Sequence, residues 1–223
     1  MNYAQRIMAQ WQGALADRRF AQSFLLNFLF CLSLYFIVIH WLVINRTRGG
    51  AVINDPVQAL FPPADFSLYI GFFTYTSTIA FLLYIVQFPR LLHRAFQSFT
   101  AVFVIRAMCI FLLPLAPPAN FIPLLDPFSD FVAHEGQIYN DLFFSGHIAD
   151  LTIFYLTTNH IRLRRWIGFS IVLVGTMMVI QRVHYSADVF CAMIMAYACH
   201  KVFVVESALW ITEEKPSRVL ADS

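Results

Sequence analysis

Residues 20–44 are twenty-five consecutive positions without an Asp, Glu, Lys or Arg. A helix that is apolar on every side needs either a large core or a bilayer around it. The pattern recurs at 66–88, 99–115, 146–159, 166–181 and 184–209, where charges are few. Crossing a hydrocarbon core of about 30 Å takes about 20 helical residues. Six such segments predict an all-α, polytopic membrane protein, a six-transmembrane-helix bundle. The segment 146–159 is short for a span. Composition agrees, with 13% charged residues and a mean hydropathy of +0.65. Soluble chains carry about 25% charged residues. Pro89, and Pro114 with Pro117 and Pro118, close the second and third segments. The last three segments are joined by short loops, which makes them antiparallel neighbours.

Basic residues mark the sides of a membrane. With the N-terminus placed in the cytoplasm, eleven of the fifteen Lys and Arg residues fall on the cytoplasmic side. Arg46, Arg48 and Arg182 fall on the other, and Arg106 lies within the third segment. Both termini are therefore predicted cytoplasmic. Residues 1–19 read as an interfacial segment, 20–211 as the transmembrane catalytic domain and 212–223 as a disordered tail. The apolar run after residue 19 is too long for a cleavable signal. A net charge of +2 is too small to argue for nucleic acid. Cys31, Cys109, Cys191 and Cys199 all fall in apolar segments without metal-ligand spacing, so they read as small buried hydrophobes.

Two polar patches interrupt the apolar pattern, and by this topology both face outward. The first runs from Asp141 to His147 and contains Ser145 and Gly146. The second runs from Arg182 to Asp188 and contains His184 and Tyr185. An intramembrane ionisable group is a functional candidate by default. His184 and Asp188 are four apart, so on a helix they share one face. An aspartate there would fix the tautomer of a nucleophilic histidine and stabilise the imidazolium that forms. His147 is the candidate general acid and base. Ser145 and the amides near Gly146 would hold phosphate oxygens at a helix N-terminus, and Arg182 could add a bidentate fork. Arg106, costly in an apolar run, would meet either a phosphate or an acid. Asp150, three residues after His147, could pair with Arg106, meet a cationic headgroup or support His147. The loop 116–141 carries Asp126, Asp130, Glu135 and Asp141 and no Lys or Arg; it reads as a lid or substrate guide, or simply as a solvated acidic loop. Metal chemistry is the rival, but His134-Glu135 lacks the second histidine of a zinc helix. No metal or other cofactor is expected.

Asp141, Phe144, Ser145, Gly146 and His147, with Leu151 and Thr152 following, resemble one motif of the sphingomyelin synthase family, a branch of the lipid phosphate phosphatase superfamily. Arg182, His184, Tyr185, Asp188 and Val189 resemble its second motif. Arg106 and the prolines from Pro114 give a weaker upstream match, so the resemblance spans roughly residues 94–200. It implies six transmembrane helices, an exoplasmic site and a catalytic triad of His147, His184 and Asp188. It also implies metal-free transfer of a phospho-alcohol headgroup from a phospholipid to ceramide, releasing diacylglycerol. The implied partners are a phospholipid donor, a lipid acceptor of ceramide or diacylglycerol type, membrane lipid and, as an option, a second copy of the chain in a homo-oligomer. Ile148 stands where the family has threonine, and Asp150 where it usually has an apolar residue. These departures bear on substrates more than on chemistry. Two other readings stand beside transfer: a phosphatase or phospholipase C-like hydrolase on the same residues, and a non-enzymatic lipid-binding membrane protein.

Overall fold

The apolar runs fold as helices whose starts are set by proline and short polar side chains. The computed structural model describes residues 2–44, 48–125 and 143–211, apart from the side chains of 42–44 and 203–211. Seven α-helices make up these residues, with a single 3-10 turn at Gln58–Leu60 and no strand beyond an isolated bridge. Asn2 and Gln5 form a capping box that starts α1 (Tyr3–Ala16). Asp17 then accepts the amides of Arg19 and Phe20 at 3.0 and 3.3 Å, opening α2 (Arg18–Ile44). Asp65 accepts both the amide and the hydroxyl of Ser67, at 2.9 and 2.7 Å, where α3 (Ser67–Ile85) begins.

Pro89 occupies the first turn of α4 (Pro89–Leu112). The third helix-forming run therefore starts ten residues before the expected position 99. Proline has its φ preset for a helix start and loses no hydrogen bond there. The remaining helices are α5 (Gly146–Thr157), α6 (Ile161–Ile180) and α7 (Ser186–Ile211). α6 starts five residues before the expected 166, because the His160 ring accepts the Leu163 amide at 3.3 Å and caps it there. That places Arg162, Arg164 and Arg165 inside its first turns.

Four helices among the described residues are long and apolar enough to cross a membrane: α2 over Arg18–Trp41, α3, α4 and α6. α5 has only 12 residues, about 18 Å of rise. It lies at the centre of the bundle. Ile148, Ala149, Leu151 and Ile153 are fully buried. Phe154 stacks on Phe81 of α3 at 4.2 Å and meets Phe99 of α4 edge-on at 5.5 Å. Ser77 and Ser170 join α3 to α6 by a buried hydrogen bond of 3.1 Å. α2 packs on α4 through Val38 and Ile110, while Leu26, Phe36 and Ile37 on its outer face are exposed.

The two ends of the bundle differ. At one end the Trp11 indole donates to Val86 O at 2.8 Å, Arg90 lies 3.5 Å from Asp17, and the Asn159 amide reaches the Tyr84 hydroxyl at 3.3 Å. Arg18, Arg19, Arg94 and the arginines opening α6 belong to this end. At the other end α4 and α6 finish and α3, α5 and α7 begin. There Ala51 forms a parallel bridge with Leu115, through Ala51 N to Pro114 O and Ala116 N to Ala51 O, both 3.0 Å. The chains approach so closely that a Cβ on Gly50 would lie 2.5 Å from the Ala116 amide nitrogen. Only glycine fits at that position. Asp126, Asp130, Glu135 and Asp141, and the tail expected to be disordered, lie outside the described residues.

Candidate active site

The first motif folds as expected at a helix start. Ser145 is the N-cap residue of α5, with extended backbone. Its hydroxyl does not cap the helix. It is fully buried and donates to Met178 Sδ of α6 at 3.4 Å. The N-terminal amides of α5 nevertheless present the positive end of a helix dipole, as every helix start does. His147 is partly exposed one residue into the helix. Asp150, one turn further, is exposed and lies within electrostatic reach of His147 and Arg106.

Arg106 comes from α4 to the start of α5. Its Nε donates to Phe144 O at 3.0 Å, and its guanidinium lies 3.6 Å from where a Cβ on Gly146 would sit. The arginine thus ties α4 to the turn that carries the first motif.

The second motif is built on the end of α6. Gln181 caps that helix, and Arg182 follows in the left-handed region with φ 63°. The Arg182 amide bonds Val179 O at 3.2 Å and the Val183 amide bonds Met178 O at 3.0 Å. This is a Schellman turn, for which glycine is the usual residue. An arginine there bears a cost of about 1–2 kcal/mol. The Arg182 guanidinium donates to Ala119 O at 2.6 Å, which anchors the turn to the 113–125 loop.

His184 lies two residues before α7 rather than on it, so the expected shared helix face is a helix-start turn instead. The pairing itself forms: His184 Nδ1 is 3.6 Å from Asp188 Oδ2. His184 is 6% exposed and Asp188 is fully buried. The same Asp188 oxygen accepts the Tyr185 amide at 3.0 Å. Asp188 Oδ1 is buried without a hydrogen-bond partner. Tyr185 is buried, with its hydroxyl between Ala116 O at 3.0 Å and the Ile53 amide at 3.2 Å. These contacts make Tyr185 a strut between three chain segments.

The two motifs meet around α6. Ser145 and Val183 both bond Met178, one through its sulfur and one through its carbonyl. At Gly175, one turn earlier, a Cβ would lie 3.1 Å from Val189 and 3.6 Å from Ile148. Those are the residues next to Asp188 and His147. The bundle therefore brings His147, His184, Asp188, Arg106 and Arg182 to one end, opposite the basic end.

Sequence reasoning missed three residues of this end. Asp55 accepts the Ser186 amide at 2.6 Å and its hydroxyl at 3.0 Å. It also accepts the Val57 and Gln58 amides at 2.9 and 3.4 Å. Burial pushes the Asp55 carboxyl up, but these four bonds together pull it below its usual value of 3.8. Gln58 donates to His184 O at 3.0 Å. Gln181, fully buried, accepts the Phe66 amide at 2.8 Å and donates to the Ser67 hydroxyl at 2.9 Å. Only the Asp55-Pro56 pair, a turn-forming sequence, hints at any of them.

Residues 140–208 match the family model described as PAP2 superfamily C-terminal. The matched stretch holds both motifs and about a third of the chain. It supports placing the protein in the PAP2 superfamily, whose members are phosphatases and phosphotransferases, and it supports an enzyme that acts on phosphate groups. It does not single out the sphingomyelin synthase branch. No curated protein matches the chain significantly.

Proposed function

We propose that this protein is an integral-membrane lipid headgroup phosphotransferase of sphingomyelin synthase type. The observation that carries the reading is the buried His184–Asp188 pair at the start of α7, gathered at the same bundle end as His147 on α5. With Nδ1 turned to Asp188, Nε2 is the attacking nitrogen. It forms a bond to the phosphorus of a glycerophospholipid as the bond to the diacylglycerol oxygen breaks. His147 gives that oxygen its proton and diacylglycerol leaves. His147 then takes the proton of an acceptor hydroxyl, of ceramide or a related lipid alcohol. The acceptor oxygen attacks phosphorus and His184 is released. Asp188 stabilises the imidazolium character of the phosphorylated ring. The α5 N-terminus, with Arg106 and Arg182, meets the phosphoryl oxygens; Asp141, assigned to substrate binding from the sequence, lies outside the described residues. Asp150 faces the same region.

In this reading α5 and α7 complete six membrane segments. Both termini are cytoplasmic and the site is exoplasmic, because the basic end of the bundle would lie inside. The same two steps with water as acceptor give hydrolysis, the second reading, favoured by a match that reaches the superfamily as a whole.

The test is lipid mass spectrometry of purified protein given a phosphatidylcholine, phosphatidylethanolamine and phosphatidylglycerol mixture with ceramide, in the presence of EDTA. A phosphosphingolipid formed with equimolar diacylglycerol is the expected result. Free phospho-alcohol or phosphate with ceramide unconsumed would establish the hydrolase instead. Loss of all turnover in EDTA would overturn the metal-free route.

A further inference from the structure

We propose that Asp55 is a positioning residue for the histidine nucleophile, acting from the loop between α2 and α3. The proposal rests on the reading of His184 given above.

α7 begins without a cap of its own. Tyr185 stands at its N-cap position and has no short side-chain acceptor to offer the first-turn amides. Asp188, at the third helical position, reaches back to the Tyr185 amide at 3.0 Å, which is only half of a capping box. An acceptor for the first amide of the helix comes instead from 131 residues away. Asp55 Oδ2 accepts the Ser186 amide at 2.6 Å and Oδ1 accepts the Ser186 hydroxyl at 3.0 Å. Its neighbour Gln58 holds the His184 carbonyl at 3.0 Å. Ile53 meets the Tyr185 hydroxyl at 3.2 Å. Three consecutive residues, His184, Tyr185 and Ser186, are thus each gripped by the 53–58 segment.

The grip is itself rigid. Asp55 Oδ1 also accepts the Val57 and Gln58 amides, closing the turn that carries Asp55 and Gln58. The segment is then fixed to the 113–125 loop by the Ala51–Leu115 bridge. Asp188 Oδ2 serves the Tyr185 amide and faces His184 Nδ1 at 3.6 Å. A shift of the 184–186 turn therefore changes the His184–Asp188 separation directly. Asp55 holds the turn through the Ser186 amide and hydroxyl, two residues from His184.

The experiment uses full-length protein in mixed micelles. In Asp55→Ala, hydrogen exchange of amides 184–190 should rise roughly 3- to 30-fold, the equilibrium weight of a helix N-cap, with other helices unchanged. kcat should fall about 10- to 100-fold, the cost of a misplaced reacting group, with KM within about twofold of wild type. Asp55→Asn, which keeps one acceptor oxygen and nearly the same shape, should be intermediate in both readouts; it decides the matter if the alanine variant does not fold. Unchanged exchange at 184–190 overturns the proposal whether or not turnover is measured. A rise in KM at constant kcat also overturns it and makes Asp55 a substrate contact. Wild-type protein inert towards every donor, with exchange at 184–190 still opened by Asp55→Ala, sinks the phosphotransfer reading and leaves the hold of Asp55 on the turn intact.

Discussion

In the proposed mechanism His184 and Asp188 divide the work of one site between a reacting ring and a buried carboxylate. His184→Ala should abolish both turnover and the acid-labile phosphoenzyme. Asp188→Asn should leave a trace, with kcat lower by about 10⁴-fold, because tautomer and orientation are degraded while the nucleophile remains. Rapid-quench capture of labelled phosphoenzyme separates the two, and a phosphoenzyme in His184→Ala would remove His184 from the role. Asp55 supplies a pH signature outside the membrane segments. Its folded carboxyl lies below the usual value of 3.8. The charged form is therefore the one the fold favours. Its stabilisation is complete above the unfolded value and fades as pH falls through the folded one. Asp55→Asn should melt lower than wild type at neutral pH, and the gap should close below about pH 4. A gap that stays constant from pH 7 to 3 would contradict this.

Gly175 shows how tightly α5, α6 and α7 interlock. A Cβ there already lies 3.1 Å from Val189 and 3.6 Å from Ile148. Gly175→Val would push those two helices outward and should cost about 1–3 kcal/mol, the usual penalty of overpacking. Thermal unfolding in detergent reads that cost, and turnover should fall with it, since both displaced neighbours adjoin site residues. An unaltered melting temperature would show that the helices slide freely at this level. The helices themselves were legible from the sequence because apolar runs and prolines are local signals. His147, His184 and Asp188 stand out in the sequence as polar breaks in apolar surroundings, and the fold brings the last two within 3.6 Å. Starts were less legible: the proline at 89 opens α4 as well as closing the preceding run, and His160 starts α6 ahead of its apolar stretch. Asp55, Gln58 and Gln181 were not legible. Each acts through contacts more than 50 residues away, and a polar residue in a loop looks the same whether or not a distant helix start needs it. The bond from the Ser145 hydroxyl to a sulfur on α6 was not legible either, since it joins residues 33 apart.

The bundle separates its basic end from the end that gathers both motifs, and the separation has a length. Cysteines placed at Asn120 and Asn159 in the proposed topology should be modified by a membrane-impermeant reagent from opposite faces; labelling from a single face would sink the exoplasmic site. Along α6, thirteen residues separate Arg165 from Met178, the residue that both motifs bond. That is about 20 Å of helix. If the arginine-bearing turn marks one boundary of a hydrocarbon layer of about 30 Å, the level of Met178, where the two motifs meet, lies about 10 Å beneath the other. At that depth water is scarce, while a lipid hydroxyl arrives from the surrounding leaflet with its chains already aligned. The choice of acceptor is then governed by immersion as much as by any side chain. Solutes that stay in the aqueous phase should intercept the phosphoenzyme poorly. Membrane-soluble alcohols of increasing chain length should intercept it progressively better, and the ratio of their products would gauge how dry the recess is.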